Sequence, residues 1–400
     1  MVRFVSNNLR IAAFGLFAGL LLQAGDARAE TFRVLYNFQG SGSRPYSDGA
    51  YPEARLFFDL DFGKIYGTTM KGGSTDLGTV FEIGPFGDFY KVIYSFRGPG
   101  ASDCAVPRAG LISLRGEFYG TCSSGGANNR GAVFKINPGG NERVVHSFRA
   151  YTGSNFDGAD PEAPLVADAA GNLYGTTTHG GVKISGPGTV FKITASGQES
   201  MLLSFKGYAD PLGGNPQAGL VFGKDGYLYG TTTTEGARFN GTVFKISTTG
   251  AAAPVSDLNW PIGSRSKGGL FVDAKGNLYG TTSAGGYGSV FEVAAADGGT
   301  RLIQAFQGTA RGGDGAYPMA GVVGDAAGYL YGTTEKGGKH DLGTVFKLKP
   351  YVSYTVLYSF DGATGRYPRA DLIIDPLGNL YGTTSEGGSA NKGVIFKISK

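Results

Sequence analysis

The apolar residues of this chain come in short runs rich in β-branched and aromatic side chains, with no stretch of useful length at helical spacing. The segment from Pro161 to Phe205 shows the pattern. Leu165-Val166-Ala167 is a brief apolar run closed by a turn at Asp168-Ala169-Ala170-Gly171. Asn172 to Thr177 follows, with Leu173 and Gly175 on one face and Tyr174 and Thr176 on the other. A Gly-rich loop leads to Gly188-Thr189-Val190-Phe191-Lys192-Ile193, and Ser196-Gly197 turns the chain into Met201-Leu202-Leu203-Ser204-Phe205. Four short runs separated by turn residues predict one four-stranded antiparallel sheet.

This pattern repeats. The Tyr-Gly-Thr core of the second run recurs at Tyr66, Tyr119, Tyr174, Tyr229, Tyr279, Tyr331 and Tyr381, with spacings of 53, 55, 55, 50, 52 and 50 residues. The Gly-Thr-Val-Phe block of the third run returns in every unit, as Gly78 to Phe81 and finally as Gly393 to Phe396. A proline announces the first run at Pro52, Pro107, Pro161, Pro216, Pro318 and Pro368; the fifth unit has Lys267-Gly268-Gly269 in that region instead. Trp260 falls where the fourth run of unit four is expected to carry its Phe, so units four and five form the irregular part of the array. A fixed period of this size marks solenoids, propellers and arrays.

The two ends choose among these. Phe32-Arg33-Val34-Leu35-Tyr36-Asn37-Phe38 reads as a fourth run with no unit before it, and Val394 to Ile398 as a third run with no fourth after it. Complementary half-units close a ring without leaving a free sheet edge. The expected fold is therefore all-β, a seven-bladed β-propeller of four-stranded antiparallel blades, with the N-terminal strand closing the last blade. Residues 30–400 form one domain of seven repeats of about 50–55 residues. Tyr-Gly-Thr-Thr has a packing explanation, since Gly admits close approach and Tyr brings a large ring with a hydroxyl to satisfy. The alternative is a ring of hydroxyls lining a polar channel.

Composition agrees and adds a location. Gly is 70 of 400 residues, which in this period means many tight turns. The net charge of +4 from 36 basic and 32 acidic residues leaves no basic footprint for nucleic acid. Arg3 and Arg10, the apolar run Ile11 to Leu22 and the Ala27-Arg28-Ala29 site read as a signal peptide over residues 1–29. Cleaved there, the chain keeps no membrane span and is secreted, periplasmic or at the cell surface, where disulfides are permitted. The alternative is an uncleaved N-terminal anchor.

The Gly-Asn-Leu-Tyr-Gly-Thr-Thr, Gly-Gly and Gly-Thr-Val-Phe blocks, in order from Gly171 to Phe191, Gly276 to Phe291 and Gly378 to Phe396, resemble the tandem GloVer repeats of exported bacterial proteins. The resemblance covers all seven units. It implies a propeller-like array at the surface or outside the cell, and no assigned activity.

Chemistry is sparse. The three histidines, His146, His179 and His340, lie in different units with no second His or Cys at ligand spacing, so no metal and no cofactor is expected. His146 occupies a fourth run, a packing or edge position. The Asp-Gly-Ala segments at Asp48, Asp157 and Asp314 read as Asx turns. Cys104 and Cys122 are the only cysteines; a hairpin turning at Arg115-Gly116 places Cys122 opposite about Ala109, and their pairing stays open. No catalytic residue is nominated. Loops entering the first run and leaving the second share one end of each blade. There the candidate binding residues are Tyr51, Tyr151, Tyr208, Tyr287, Tyr317 and Tyr367, with Arg97, His179, Arg238 and His340 among them. The reading is of a monomeric, non-enzymatic binding or scaffold propeller presenting that face to a cell-envelope glycan or a protein. The alternative is an extracellular hydrolase or lyase acting on a polysaccharide or lactone, which a carboxylate-lined channel mouth would favour over an aromatic one.

Overall fold

A computed structural model describes residues 30–40, 48–149, 157–181, 186–208, 210–309 and 313–400. Residues 1–29, expected to be a signal peptide, and the candidate Tyr151 lie outside them. Seven four-stranded antiparallel sheets form the blades of a β-propeller. Blade 1 runs Phe57–Asp59, Lys64–Thr69, Thr79–Ile83, Lys91–Ser95 from channel to rim. Blade 7 takes Ile373–Ile374, Leu380–Thr384 and Val394–Ser399 from the C-terminal end and Thr31–Asn37 from the N-terminal end. The register is Thr31 opposite Ser399 and Asn37 opposite Val394, so the ring closes by strand exchange. Among the described residues no helix is long and apolar enough to cross a membrane.

The recurring Tyr-Gly-Thr-Thr is explained by contacts within and between blades. A Cβ on Gly175 would lie 2.5 Å from Phe191 Cζ and 2.8 Å from Leu165 Cδ2, so only Gly lets the third-strand Phe and the first-strand Leu meet above it. Tyr174 is fully buried, and its hydroxyl donates to Asp168 Oδ2 at 2.9 Å in the turn between first and second strands. Tyr331 and Tyr381 do the same with Asp325 and Asp375. These hydroxyls are thus bound at the blade turns, and the packing role holds. The first Thr reaches the next blade: Thr68 Oγ1 donates to the Ala109 carbonyl, Thr121 to Ala163, Thr176 to Ala218 and Thr281 to Ala320. The second Thr stays in its own blade, with Thr69, Thr177 and Thr334 bonded to the Thr that opens the third strand, each at 2.8 Å.

The residue before each first-strand proline is a second joint. Tyr51, Val106, Asp160, Asn215, Arg265, Tyr317 and Tyr367 all take φ between 52° and 57°. In this left-handed turn the N–H of each donates to the preceding blade, as Tyr51 to the Lys392 carbonyl and Val106 to the Leu77 carbonyl. Its carbonyl accepts from its own second strand's exit, as from Met70 and Ser123. The fifth unit keeps the joint with Ser266 in place of proline. A β-branched residue is the costliest occupant of such a conformation. Val106→Asn, the residue that blade 4 uses at Asn215, is expected to raise unfolding free energy by about 1 kcal/mol; urea denaturation checks it, and a lower midpoint would show that the Val106 side chain contributes more by packing.

Two local expectations need correction. In blade 4 the Phe position is filled by Leu258, which is fully buried and whose N–H bonds the Gly241 carbonyl as Phe205 and Phe306 bond Gly188 and Gly288. Trp260 lies two residues beyond, 80% exposed, in the loop that follows. The Asp-Gly-Ala aspartates, expected to cap their own turns, bond beyond them. Asp48 accepts from the Gln39 and Gly40 N–H groups and Asp314 from that of Gln307, tying each loop to the strand that precedes it.

Candidate functional site

The segment leading into each first strand reads Pro-x-Ala-x-Leu, or a close variant, and its two variable positions line the channel while Ala and Leu are buried. The seven blades thereby line a cavity of about 400 Å³ at the channel mouth. The outer ring is Glu53, Arg108, Glu162, Gln217, Lys267, Met319 and Arg369, one residue from each blade in order. The inner ring is mostly Gly or Pro, with two charges, Arg55 of blade 1 and Asp371 of blade 7, and the space continues past both to Val221 and Phe271.

The outer ring divides into two arcs. Along one, charges alternate and pair. Arg369 forks between Glu53 Oε1 at 2.7 Å and Glu335 Oε1 at 2.6 Å, and Arg108 lies 3.1 Å from Glu53 and 3.6 Å from Glu162. Burial opposes the charge on Arg369, but Glu335 and Glu53 outweigh it and raise its pKa further. Along the other arc, Gln217, Lys267 and Met319 form no hydrogen bond or ion pair among the described residues, and neither does Arg55 below them. Burial raises the Glu162 carboxyl, with Arg108 pulling it back. Burial likewise raises that of Asp371, offset by Arg55 and by the 2.6 Å hydrogen bond its Oδ1 accepts from Gly321 N–H.

None of these channel residues was among those nominated from the sequence. The signal was present: the Pro, Ala and Leu positions of the motif are kept in all units but for Ser266, Gly268 and Val322, and the residues that vary freely between them are the ones that face the channel.

Those of the nominated residues that the structure describes lie outside this ring. Bridges from Ala50 to Lys71, Ser264 to Ala284, Ala316 to Lys336 and Arg366 to Glu386 hold first-strand and second-strand loops side by side. Tyr51, Tyr317 and Tyr367 stand two residues before Glu53, Met319 and Arg369. They meet neighbours rather than one another: Tyr51 hydroxyl accepts from Lys392 Nζ at 2.9 Å, Tyr317 packs on Tyr287 at 5.9 Å, and Lys336 Nζ sits 4.1 Å above the Tyr367 ring. Tyr208, 84% exposed, contacts Phe239. Arg97 pairs with Asp103 at 3.3 Å and His179 Nδ1 with Asp160 at 3.0 Å, while Arg238 and His340 are exposed. These residues form a loose outer circle, and the structure brings no single cluster out of them.

Cys104 and Cys122 form a disulfide with Cα atoms 5.7 Å apart. Ile112 pairs with Tyr119, a register that does run Cys122 toward Ala109. The left-handed turn at Val106 then breaks it, and Cys104 pairs with Gly125 two residues out of that register, which brings the sulfurs together beneath the loops.

A family model described as Gloeobacter/Verrucomicrobia repeat matches residues 19–158, 150–313 and 284–400. No curated protein matches the sequence. Among solved structures, the chain is similar to the GH74 xyloglucanase of Xanthomonas campestris, with TM-score 0.60 and 14% identity over 92% of this chain and 55% of that one. It is also similar to the oligogalacturonate lyase of Vibrio parahaemolyticus, with TM-score 0.53 and 9% identity over 94% and 98%. A putative 6-phosphogluconolactonase of Bacteroides uniformis aligns with TM-score 0.52 and 17% identity over 83% and 93%. At these identities the likeness is one of fold.

Proposed function

We propose that this chain, which belongs to the Gloeobacter/Verrucomicrobia repeat family, is an exported binding propeller that receives a polar ligand, a glycan or a peptide strand, at the channel mouth. The observation that carries the reading is the division of the outer ring. Glu53, Glu162 and Glu335 are each held by an arginine, which keeps that arc rigid and charge-balanced. Gln217 and Lys267 keep unspent donors facing the cavity. Preformed polar groups in a concave site favour recognition with little ordering cost. Tyr51, Tyr317 and Tyr367 surround the mouth, where a ligand longer than the cavity would stack on them. Export is supported by the disulfide, which requires an oxidising compartment to persist, and by the signal-peptide pattern of residues 1–29.

One observation favours the second reading, a hydrolase or lyase. Glu162 and Asp371 are carboxyls raised by burial inside the mouth, the condition a general acid needs. One experiment separates the two. The purified protein is screened on an array of envelope glycans and peptides, and each bound compound is then incubated in solution and examined for cleavage products. Binding without turnover, lost in Lys267→Met and Gln217→Ala and weakened in the triple Tyr51, Tyr317 and Tyr367→Ala variant, supports the binding reading. Turnover abolished by Glu162→Gln or Asp371→Asn supports the other. Equal binding by the Lys267→Met variant and the parent would remove the channel mouth from consideration.

A further inference from the structure

On the rim, far from the channel, adjacent blades meet through a repeated pair. The fourth-strand residue two before the Phe reaches the residue six before it in the next blade, and a loop aspartate caps the contact. Tyr36 stacks on Tyr90 at 3.8 Å with Asp48 accepting from the Tyr36 hydroxyl at 2.6 Å. Between blades 1 and 2 the pair is Tyr94 and Glu142, with Asp103 accepting from Tyr94 at 2.8 Å. Between blades 2 and 3 a histidine replaces the phenol: His146 Nε2 lies 3.0 Å from Asp157 Oδ2, and the facing residue is Glu199.

That single replacement changes the chemistry. A phenol offers the aspartate a hydrogen and a cation little. An imidazole nitrogen between two carboxylates is a borderline donor set for a divalent metal. One donor atom each from His146, Asp157 and Glu199 lies within 4.8 Å of the other two. Glu199 Oε1 is shut off from solvent and has no hydrogen-bond partner, so a carboxylate oxygen is held inward with nothing to bond. Its surroundings fix the other two donors. Phe148 packs edge-on against the His146 ring at 4.9 Å, and Asp157 Oδ1 accepts from the Gly158 N–H at 2.7 Å, which orients the remaining oxygen.

We propose that His146, Asp157 and Glu199 form a binding site for a divalent transition-metal cation of the zinc type at the junction of blades 2 and 3, with water completing its coordination. The cation draws the three donors inward to bonding distances of about 2.0–2.2 Å and clamps two blades through groups on both. Because the ligands come from different blades, binding opposes their separation and stabilises the ring by mass action.

Blade 1 supplies the control. His146→Tyr restores the phenol that Tyr94 provides at the equivalent position, with the same hydrogen bond to the loop aspartate, so the fold is kept and the metal donor removed. The full-length protein is freed of metal with a chelator and titrated with zinc chloride by calorimetry, and its melting is followed with and without zinc. The expected result is one saturable zinc per chain and a raised melting temperature. In His146→Tyr the affinity falls about tenfold or more and the zinc-dependent rise is lost, while melting in chelator stays near the parent's; Glu199→Gln behaves likewise. Absence of saturable binding by the parent overturns the proposal. Unchanged zinc affinity in His146→Tyr overturns it too, by placing the ion elsewhere, as at His179 or His340.

Discussion

Deleting residues 30–40 is expected to abolish the cooperative melt of this protein. The segment carries the rim strand of blade 7, and without it Val394–Ser399 becomes a long unpaired edge. Phe38 is fully buried and Leu35 nearly so, both in the cluster with Leu56, Phe81 and Ile395 that joins blades 7 and 1. Removing a buried Phe costs about 3–5 kcal/mol and a Leu about 2–5 kcal/mol. Phe32 also stacks on Tyr358 at 3.6 Å and Tyr36 on Tyr90 at 3.8 Å, so both junctions of blade 7 lose a rim contact. Against a typical net stability of about 5–15 kcal/mol, these losses exhaust what the fold has. Circular dichroism during heating, with size-exclusion chromatography at 25 °C or so, reads the result. A deletion variant that melts as a monomer at the parent's temperature would falsify closure by the N-terminal strand.

Replacing both Cys104 and Cys122 by Ala is expected to lower the unfolding free energy by about 3 kcal/mol, the loop-entropy value for a bridge of this span, the two positions being 18 residues apart. The loss concentrates in blade 2, because the bridge holds the loop that enters its first strand, ahead of the Val106 turn, to the end of its second strand. Both side chains are fully buried, so reductant alone acts slowly on the folded protein and the double variant is the better test. The urea midpoint of Cys104→Ala/Cys122→Ala against the parent gives the difference. Alkylation of the urea-unfolded parent without reductant should label no thiol; two labels would show that the bridge is not made.

The architecture was legible because it is written in short-range chemistry. Period-two alternation, Gly at crowded crossings and Tyr-Gly-Thr-Thr before each loop are local features, and a seven-fold repeat states them seven times. The closure at blade 7 was legible for the same reason, since Phe32 to Phe38 carries the same motif as Tyr354 to Phe360. What was misread involved a change of register or a loop. Leu258 could not be distinguished from Trp260 without the hydrogen bond to Gly241. The disulfide could not be decided because the register set at Ile112 and Tyr119 is broken at Val106, and nothing in the identity of Val106 announces a left-handed turn.

By itself, then, the order of residues determined the blade, its number and the way the ring closes, because each follows from neighbours in the chain. Tertiary structure alone decided which side chains meet. Glu53 and Arg369 are 316 residues apart yet hydrogen-bonded at 2.7 Å, since a closed ring brings first and last blades together. His146 and Glu199 sit in separate units, each with an unremarkable neighbourhood in sequence, and become one donor set only where two rims touch. Sites in a propeller are made between blades, and distances between blades depend on the closure of the whole ring rather than on any segment of it.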